Sequence, residues 1–553
     1  MEATVDKMSK WWQIVKKGGS KRLLIFVLIG IVVISIEAAV GFIVNTNNNN
    51  NALINDESPI DIKTQFEQRF CGESISSSEY YVREFKVPGF CSLPVGIVTD
   101  KDDNVWFAST RQGNIVKFIP STQEFKEFQI PQWLPREVGL GASQVWNLKF
   151  DQEGNLWFTD EKQNAIWRFY PLTERFEKYM IPNITNNSRT IYPVDIDFDL
   201  KGSVYVVGIR SFDLWVANKS ALRDGTSDGF SNIPMPVEGF SSINQDLVTV
   251  GSLETDNDGK SIWISLLAYN QMGQLLRFDI ETGKFTIFEL PNEIKSPVGL
   301  VLDKTGNVWI TDQGTSIFFK FDPTTREIAQ YSTSVLSPRV NGGNQLNNSY
   351  TLPYWLVSDS NGNIWFNEHI GNKIAKFDLE TETLVEYWIP TQNRKFAQCQ
   401  EIPINMDCGI SNALQLAVDS RGNAWFTEWT ENKIGTVNSS SVIPFSIQLS
   451  QNATTIPQGG SNTIDINIIN DDAPSLLSLQ LVASGTLGRT GNLDNATAVF
   501  SEDILTFDMG ESSKKATLLL NLSEDTKPGE YSLMVGAEYE EITYSKAIRV
   551  TVI

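Results

Sequence analysis

The sequence predicts an all-β protein: a seven-bladed β-propeller, then an immunoglobulin-like β-sandwich, with one transmembrane helix ahead of both. Three observations lead there. An aromatic-strand pattern recurs through the middle of the chain, the segment 442–553 changes to short alternating strands, and residues 23–44 form an apolar run. The 553 residues are 41% hydrophobic and 20% charged, which suits a folded chain of several domains. Lys and Arg number 45 against 66 Asp and Glu, a net charge of −21, which argues against a nucleic-acid partner. A single histidine, His369, rules out any multi-histidine metal site.

The amino-terminal elements set the compartment. Residues 1–22 form a basic tail with Lys7, Lys10, Lys16, Lys17, Lys21 and Arg22, and residues 23–44 carry one charge, Glu37. That length spans a bilayer, and the cations place the tail in the cytoplasm. The chain is therefore expected in the cell membrane as a single-pass protein with its bulk extracellular. The rival is a cleaved signal peptide, for which Glu37-Ala38-Ala39 is a poor cleavage site. Residues 45–78 read as a linker, with an asparagine run and a short helix near 60–70. An outside location agrees with Cys71, Cys91, Cys399 and Cys408, whose short separations suggest Cys71–Cys91 and Cys399–Cys408 among three pairings. It also agrees with glycosylation sequons at Asn183, Asn186, Asn218, Asn347, Asn438, Asn452, Asn495 and Asn521.

The propeller is expected over 79–441. Its repeats are DKDDNVWFAS (100–109), DQEGNLWFTD (151–160), the degenerate DLKGSVYVVG (199–208), DNDGKSIWISL (256–266), DKTGNVWITD (303–312), DSNGNIWFNE (359–368) and DSRGNAWFTE (419–428). The mean spacing of about 53 residues is near the length of a four-stranded blade. Each repeat reads as a leading strand, an Asp-x-x-Gly-Asn turn with Gly at positive φ, an aromatic strand packed between blades, and two further strands. The last repeat ends after NKIGTVN (432–438) and lacks an outer strand, whereas YYVREFKVP (80–88) precedes the first. The first strand should thus complete the last blade and remove the open edge. Residues 442–553 follow as the sandwich, a candidate for docking a protein or cell-surface partner.

Chemistry is expected where the aromatic strands end. Those positions are Ser109, Asp160, Gly208, Leu266, Asp312, Glu368 and Glu428, on the face that receives the insertions near 333–352 and 391–411. Asp160, Asp312, Glu368 and Glu428 would offer oxygen ligands to Mg²⁺ or Ca²⁺ in a funnel that could also take a small molecule. Alternatively, each acid only caps its own loop. His369 could act there as a general base, or be an exposed loop residue. Gly225–Gly229 imitates a nucleophile elbow without the strand-to-helix context, and 254–259 lacks the closing acid of a calcium loop.

WFTEWTENKIG (425–435), WFNEHIGNKIAKF (365–377) and WFTDEKQNAIWRF (157–169) resemble the repeat of streptogramin (virginiamycin B) lyases and, more loosely, gluconolactonase-like and NHL-type propellers. The resemblance covers most of 79–440. It implies Mg²⁺ and a histidine base that opens a cyclic depsipeptide by elimination. It carries a family metal-site glutamate onto Glu428, with Glu368 equivalent in the preceding blade. The family's histidine lies fourteen residues before such a glutamate, where this chain has Leu414 and Tyr354. His369 would have to substitute. Two functions are thus expected: a surface-anchored binding protein, or a divalent-metal carbon–oxygen lyase or lactone hydrolase with a rearranged site.

Overall fold

The computed structural model describes residues 72, 78–133, 144–182, 191–209, 211–240, 243, 248–341, 350–397, 399, 402–403, 408–471, 477–484 and 496–553. The anchor, its basic tail, the short helix, Cys71, Asn183, Asn186, Asn347 and Asn495 lie outside them. No helix among the described residues is long and apolar enough to cross a membrane.

Four-stranded antiparallel sheets follow one another at 94–129, 148–180, 193–234, 248–289 and 297–332, each in simple up-and-down order. The strands of 353–388 repeat that order, and 413–437 supplies three strands of a further sheet. The first strand of each sheet lies against the first strand of the next, and Pro94–Thr99 lies against Ala413–Val418. The sheets therefore close a ring, the arrangement of a β-propeller. Val82–Lys86 completes the last sheet, antiparallel to Lys433–Val437 with Val82 opposite Val437 and Lys86 opposite Lys433. This is the closure expected from the sequence, and it leaves no unpaired edge on Lys433–Val437.

The repeat earns its strands through one carboxylate per turn. Asp303 Oδ1 accepts from Thr305 N at 2.9 Å and Asn307 N at 3.0 Å, while Oδ2 accepts from Asn307 Nδ2 at 2.9 Å and Trp309 Nε1 at 3.0 Å. The same aspartate-to-indole bond joins Asp100 to Trp106, Asp151 to Trp157, Asp359 to Trp365 and Asp419 to Trp425. In the degenerate repeat the Tyr205 hydroxyl donates to Asp199. Burial opposes ionisation of Asp100, Asp151 and Asp303, yet these donors hold each below the ordinary carboxylate value. Gly154, Gly306, Gly362 and Gly422 sit at positive φ, and Asp103 takes that place in the first sheet at φ 59°. The anchored rings then pack against the next sheet, as Trp106 against Phe150, Trp157 against Phe198 and Trp309 against Phe377.

Most inner strands share a device the sequence did not suggest. Each has a register shift near its start, as between Pro297 and Leu300, Pro353 and Leu356, and Ala413 and Leu416. The Thr, Ser or Asn just before the end of the aromatic strand accepts the displaced N–H: Thr311 from Gly299, Ser265 from Ser252, Asn367 from Trp355. A bulge thus costs no buried donor.

Residues 445–552 form two further sheets. One has the spatial order Phe445–Leu449, Ser461–Asn470, Ser513–Asn521, Thr497–Phe500. The other has Ile504–Phe507, Leu477–Ser484, Gly529–Tyr539 and Ile542–Val552, with Ala453–Ile456 parallel to the end of the last strand. Ile464, Ile466, Ile468, Leu518 and Leu520 share one core with Leu479, Leu481, Leu533, Val535, Ile548 and Val550. The joint to the propeller is a strand pairing. Ile542–Val552 lies antiparallel on Thr383–Trp388, from Thr383 opposite Lys546 to Tyr387 opposite Ile542. Trp388 N also donates to Glu541 O at 2.8 Å, and Met534 and Ala547 pack with Trp309, Phe377 and Leu384. The sequence treated the second region as a separate docking domain; in the structure its last strand continues a propeller sheet.

Candidate functional site

The aromatic strands end at one level of the ring. Pro94 lies opposite Ser109, Pro193 opposite Gly208, Val250 opposite Leu266, Pro297 opposite Asp312, Pro353 opposite Glu368 and Ala413 opposite Glu428. Asp160, Asp312, Glu368 and Glu428 are all fully buried. Two of them cap their own loops. Asp160 accepts from Gln163 N at 3.1 Å, Gln163 Nε2 at 2.8 Å and Trp167 Nε1 at 3.0 Å. Asp312 accepts from the backbone of Lys295, Ser296 and Gly314 and from the Thr315 hydroxyl. Burial raises Asp312 all the same, against these donors.

Glu368 and Glu428 differ. Neither has a hydrogen-bond partner in good geometry for either carboxylate oxygen. Burial pushes Glu368 well above the ordinary value, and Glu386 adds to this against Lys373. Burial does the same to Glu428, with Glu84 adding and Lys433 opposing. The cause is a network that recurs in two adjacent sheets. Lys433 lies opposite Glu428, its Nζ 2.8 Å from Glu84 Oε2 and 2.5 Å from Thr391 Oγ1. Thr391 donates to Glu84 through its N at 3.0 Å and its hydroxyl at 2.8 Å. One sheet earlier, Lys373 lies opposite Glu368, 3.6 Å from Glu386 Oε1 and 2.6 Å from Ser334 Oγ. Ser334 donates to Glu386 through N and Oγ at 2.9 and 2.8 Å. Burial penalises the Lys373 ammonium, but Glu386 and Glu368 hold it above its ordinary value. Each network sets a second carboxyl beside a lysine already paired with one, and burial disfavours the charged form of Glu368 and of Glu428.

Sequence reasoning missed Glu84, Glu386, Lys373, Lys433, Ser334 and Thr391. A signal was present: EHIGNK (368–373) matches EWTENK (428–433), and EYWIP (386–390) matches EFKVP (84–88). In the first sheet the equivalents are Ser109, Asn114 and Glu127, and Asn114 Nδ2 donates to Glu127 at 3.2 Å without a charge pair.

His369 is buried, not an exposed loop residue. Its Nδ1 lies 3.2 Å from Ala413 O, its ring centroid is 6.2 Å from that of Tyr354, and burial holds it below the ordinary imidazole value. The two insertions meet beside these networks. Val340, Trp388 and Ile410 form a small core, and Cys399 is bonded to Cys408 across a Cα separation of 5.8 Å, one of the pairs the spacing suggested. Cys408 Sγ and Gly409 N both approach Val340 O. Cys91 is disulfide-bonded as well.

The ring level does not bring the four acids together. Among the described residues no group of three or more His, Cys, Asp or Glu is disposed to hold a metal ion. Glu368 and Glu428 carry the right oxygen donors, but each stands in its own sheet beside a lysine. That falls short of the six to eight oxygens around Ca²⁺ or the octahedron around Mg²⁺. A second charged cluster, also unforeseen, joins the inner strands. Lys149 Nζ lies 2.7 Å from Asp197 and 3.2 Å from Glu254, while Asp195 and Asp197 accept Leu253 N and Thr255 N of the neighbouring sheet. Burial pushes Asp195 to about 8 and Glu254 to about 7.

Fold and site together define a β-propeller protein with buried lysine–carboxylate networks and a two-sheet carboxy-terminal region. No protein-family model and no curated protein matches the sequence. Similar solved structures include virginiamycin B lyase from Staphylococcus aureus, at 17% identity over 66% of this chain and 99% of that one, with a TM-score of 0.49. A streptogramin B lyase is 21% identical over 65% of this chain and 99% of its own, also at 0.49. The extracellular domain of a protein described as a one-component system of B. thetaiotaomicron is 12% identical over 86% of this chain and 60% of its own, at 0.44.

Proposed function

We propose that the chain is a seven-bladed propeller with an immunoglobulin-like sandwich, anchored by residues 23–44 with its bulk outside the cell, and that it binds a ligand at the face of the 333–352 and 391–411 insertions. The observation that carries this reading is the joining of those insertions, through the Val340–Trp388–Ile410 core and the approach of Cys408 Sγ and Gly409 N to Val340 O, beside the two sheets that hold Glu368 and Glu428. Loops fixed on a rigid scaffold are where binding residues concentrate. The order of strands 445–449, 461–470, 513–521 and 497–500 supports the immunoglobulin-like assignment. In this reading the sandwich docks a protein or surface partner through its remaining faces.

The second reading is a Mg²⁺-dependent carbon–oxygen lyase or lactone hydrolase, favoured only by the buried carboxyl oxygens of Glu368 and Glu428, which meet no hydrogen bond of good geometry. Tyr354 and Leu414 stand where the lyase family keeps its histidine, so a base is lacking there. Calorimetric titration of Mg²⁺ and Ca²⁺ into the full chain, beside the Glu368→Gln/Glu428→Gln double variant, tests for a metal site at this face. Absence of saturable binding in both folded proteins overturns the metal-enzyme reading. Saturable binding lost in the variant establishes a metal site, which a binding protein also allows, and metal-dependent turnover of cyclic esters or lactones then overturns the binding reading.

A further inference from the structure

Glu84 and Lys433 lie on the two strands that close the ring, Val82–Lys86 and Lys433–Val437. Both side chains are inaccessible to solvent, and Lys433 Nζ is 2.8 Å from Glu84 Oε2, an atom bonded to Cδ. Burial withholds the solvation that favours an ammonium and a carboxylate over their neutral forms. The Glu84 carboxyl is held at both oxygens. Thr391 N donates to Oε1 at 3.0 Å, and the Thr391 hydroxyl donates to Oε2 at 2.8 Å. Glu428 stands opposite Lys433 in the neighbouring strand and feels the charge of Glu84 and Lys433 alike. Neither Glu428 oxygen has a hydrogen bond of good geometry. An amine, a carboxyl, a fixed backbone donor and a second carboxyl thus meet in one dry site.

We propose that Lys433 Nζ and Glu84 Cδ condense to an amide, which closes the ring covalently. Nζ passes one proton to Oε2, leaving an amine beside a carboxylic acid. Nζ then attacks Cδ, and the charge that develops on Oε1 is met by the Thr391 N–H. Glu428 takes a second proton from Nζ and hands it to Oε2, which leaves as water, while the third Nζ proton stays on the amide. The reaction removes two buried charges and needs no other reactant. Well-oriented intramolecular reactions reach effective molarities of about 10⁵–10⁸ M, far above the concentration of the water that opposes condensation. The bond is confined to Lys433. Lys373 stands 3.6 Å from Glu386, and both Ser334 donors fall on the same Glu386 oxygen that the lysine approaches. That carboxyl lacks the arrangement in which one oxygen is held while the other leaves.

The test is the intact mass of the denatured full chain, followed by tryptic peptide mapping. The expected mass is one water below that of the disulfide-bonded sequence. The expected map contains a branched peptide joining 84–86 to the peptide of Lys433, where trypsin no longer cleaves. A chain of full mass overturns the proposal, and so does a lost water that maps to any other pair. Glu428→Gln tests the proton path: the folded variant is expected at full mass, and a variant linked as completely as wild type overturns the role given to Glu428. The wild-type mass decides the bond itself even where that variant does not fold.

Discussion

Glu428 shows how much a single buried side chain reports about the folded state. Burial holds its carboxyl well above the ordinary 4.5, so the folded chain retains a proton that the unfolded chain releases. Stability then falls as pH rises from the ordinary carboxylate value toward the raised one. Glu428→Gln removes this slope. Denaturant midpoints taken at intervals between pH 5 and 8 should fall less steeply for the variant than for wild type, and equal slopes would show an ionised Glu428. Lys433 gives the complementary case. Lys433→Met leaves Glu84 buried without its cation and should cost about 3–5 kcal/mol. Adding Glu84→Gln should recover much of that loss, which a double-mutant cycle by urea unfolding measures directly.

At the scale of one element, the Asp-x-x-Gly-Asn hairpin separates two physical contributions. Asp303 answers two backbone donors, an amide and an indole at once. Asp303→Ala should destabilise by about 2–3 kcal/mol, because it orphans buried donors including the Trp309 indole. Gly306 acts through its backbone alone: φ is 86° and no atom lies within 4 Å of a Cβ placed there. Gly306→Ala should cost only about 1–2 kcal/mol, the price of a left-handed conformation for an L-residue. Thermal midpoints of the two variants should therefore order as Asp303→Ala below Gly306→Ala. This hairpin was legible because all its partners lie within six residues. The inner-strand bulges were not, since the Thr311 hydroxyl serves Gly299 from the neighbouring strand and residue type alone does not reveal the shifted register.

Across the molecule, the strand pairing of 383–387 with 542–546 fuses two regions the sequence presents as separate. One core contains Trp365, Phe426 and Tyr387 of the propeller together with Leu518, Leu533 and Ile548. Removal of 442–553 would expose an outer strand and its unpaired backbone groups, and would strip the Thr543 hydroxyl from Lys373. The truncated chain should aggregate, seen as loss of the monomer peak in size-exclusion chromatography. A truncated chain that stays monomeric with an unchanged melting temperature would show that the joint is not needed for folding.

The sequence by itself determined the repeat, the turn that starts each aromatic strand and the strand that closes the ring, and it suggested the Cys399–Cys408 pair that the structure contains. Each follows from local hydrogen bonding, from the period of apolar residues or from a short loop, all readable along the chain. Only the tertiary structure decided the burial of His369, the lysine networks and the sheet shared with the carboxy-terminal region. Glu84 and Lys433 are 349 residues apart, and whether their charges meet depends on ring closure. It also gave Asp160 and Asp312 the donors of nearby loops while setting Glu368 and Glu428 in lysine networks, because the same position in a repeat meets different neighbours in each sheet.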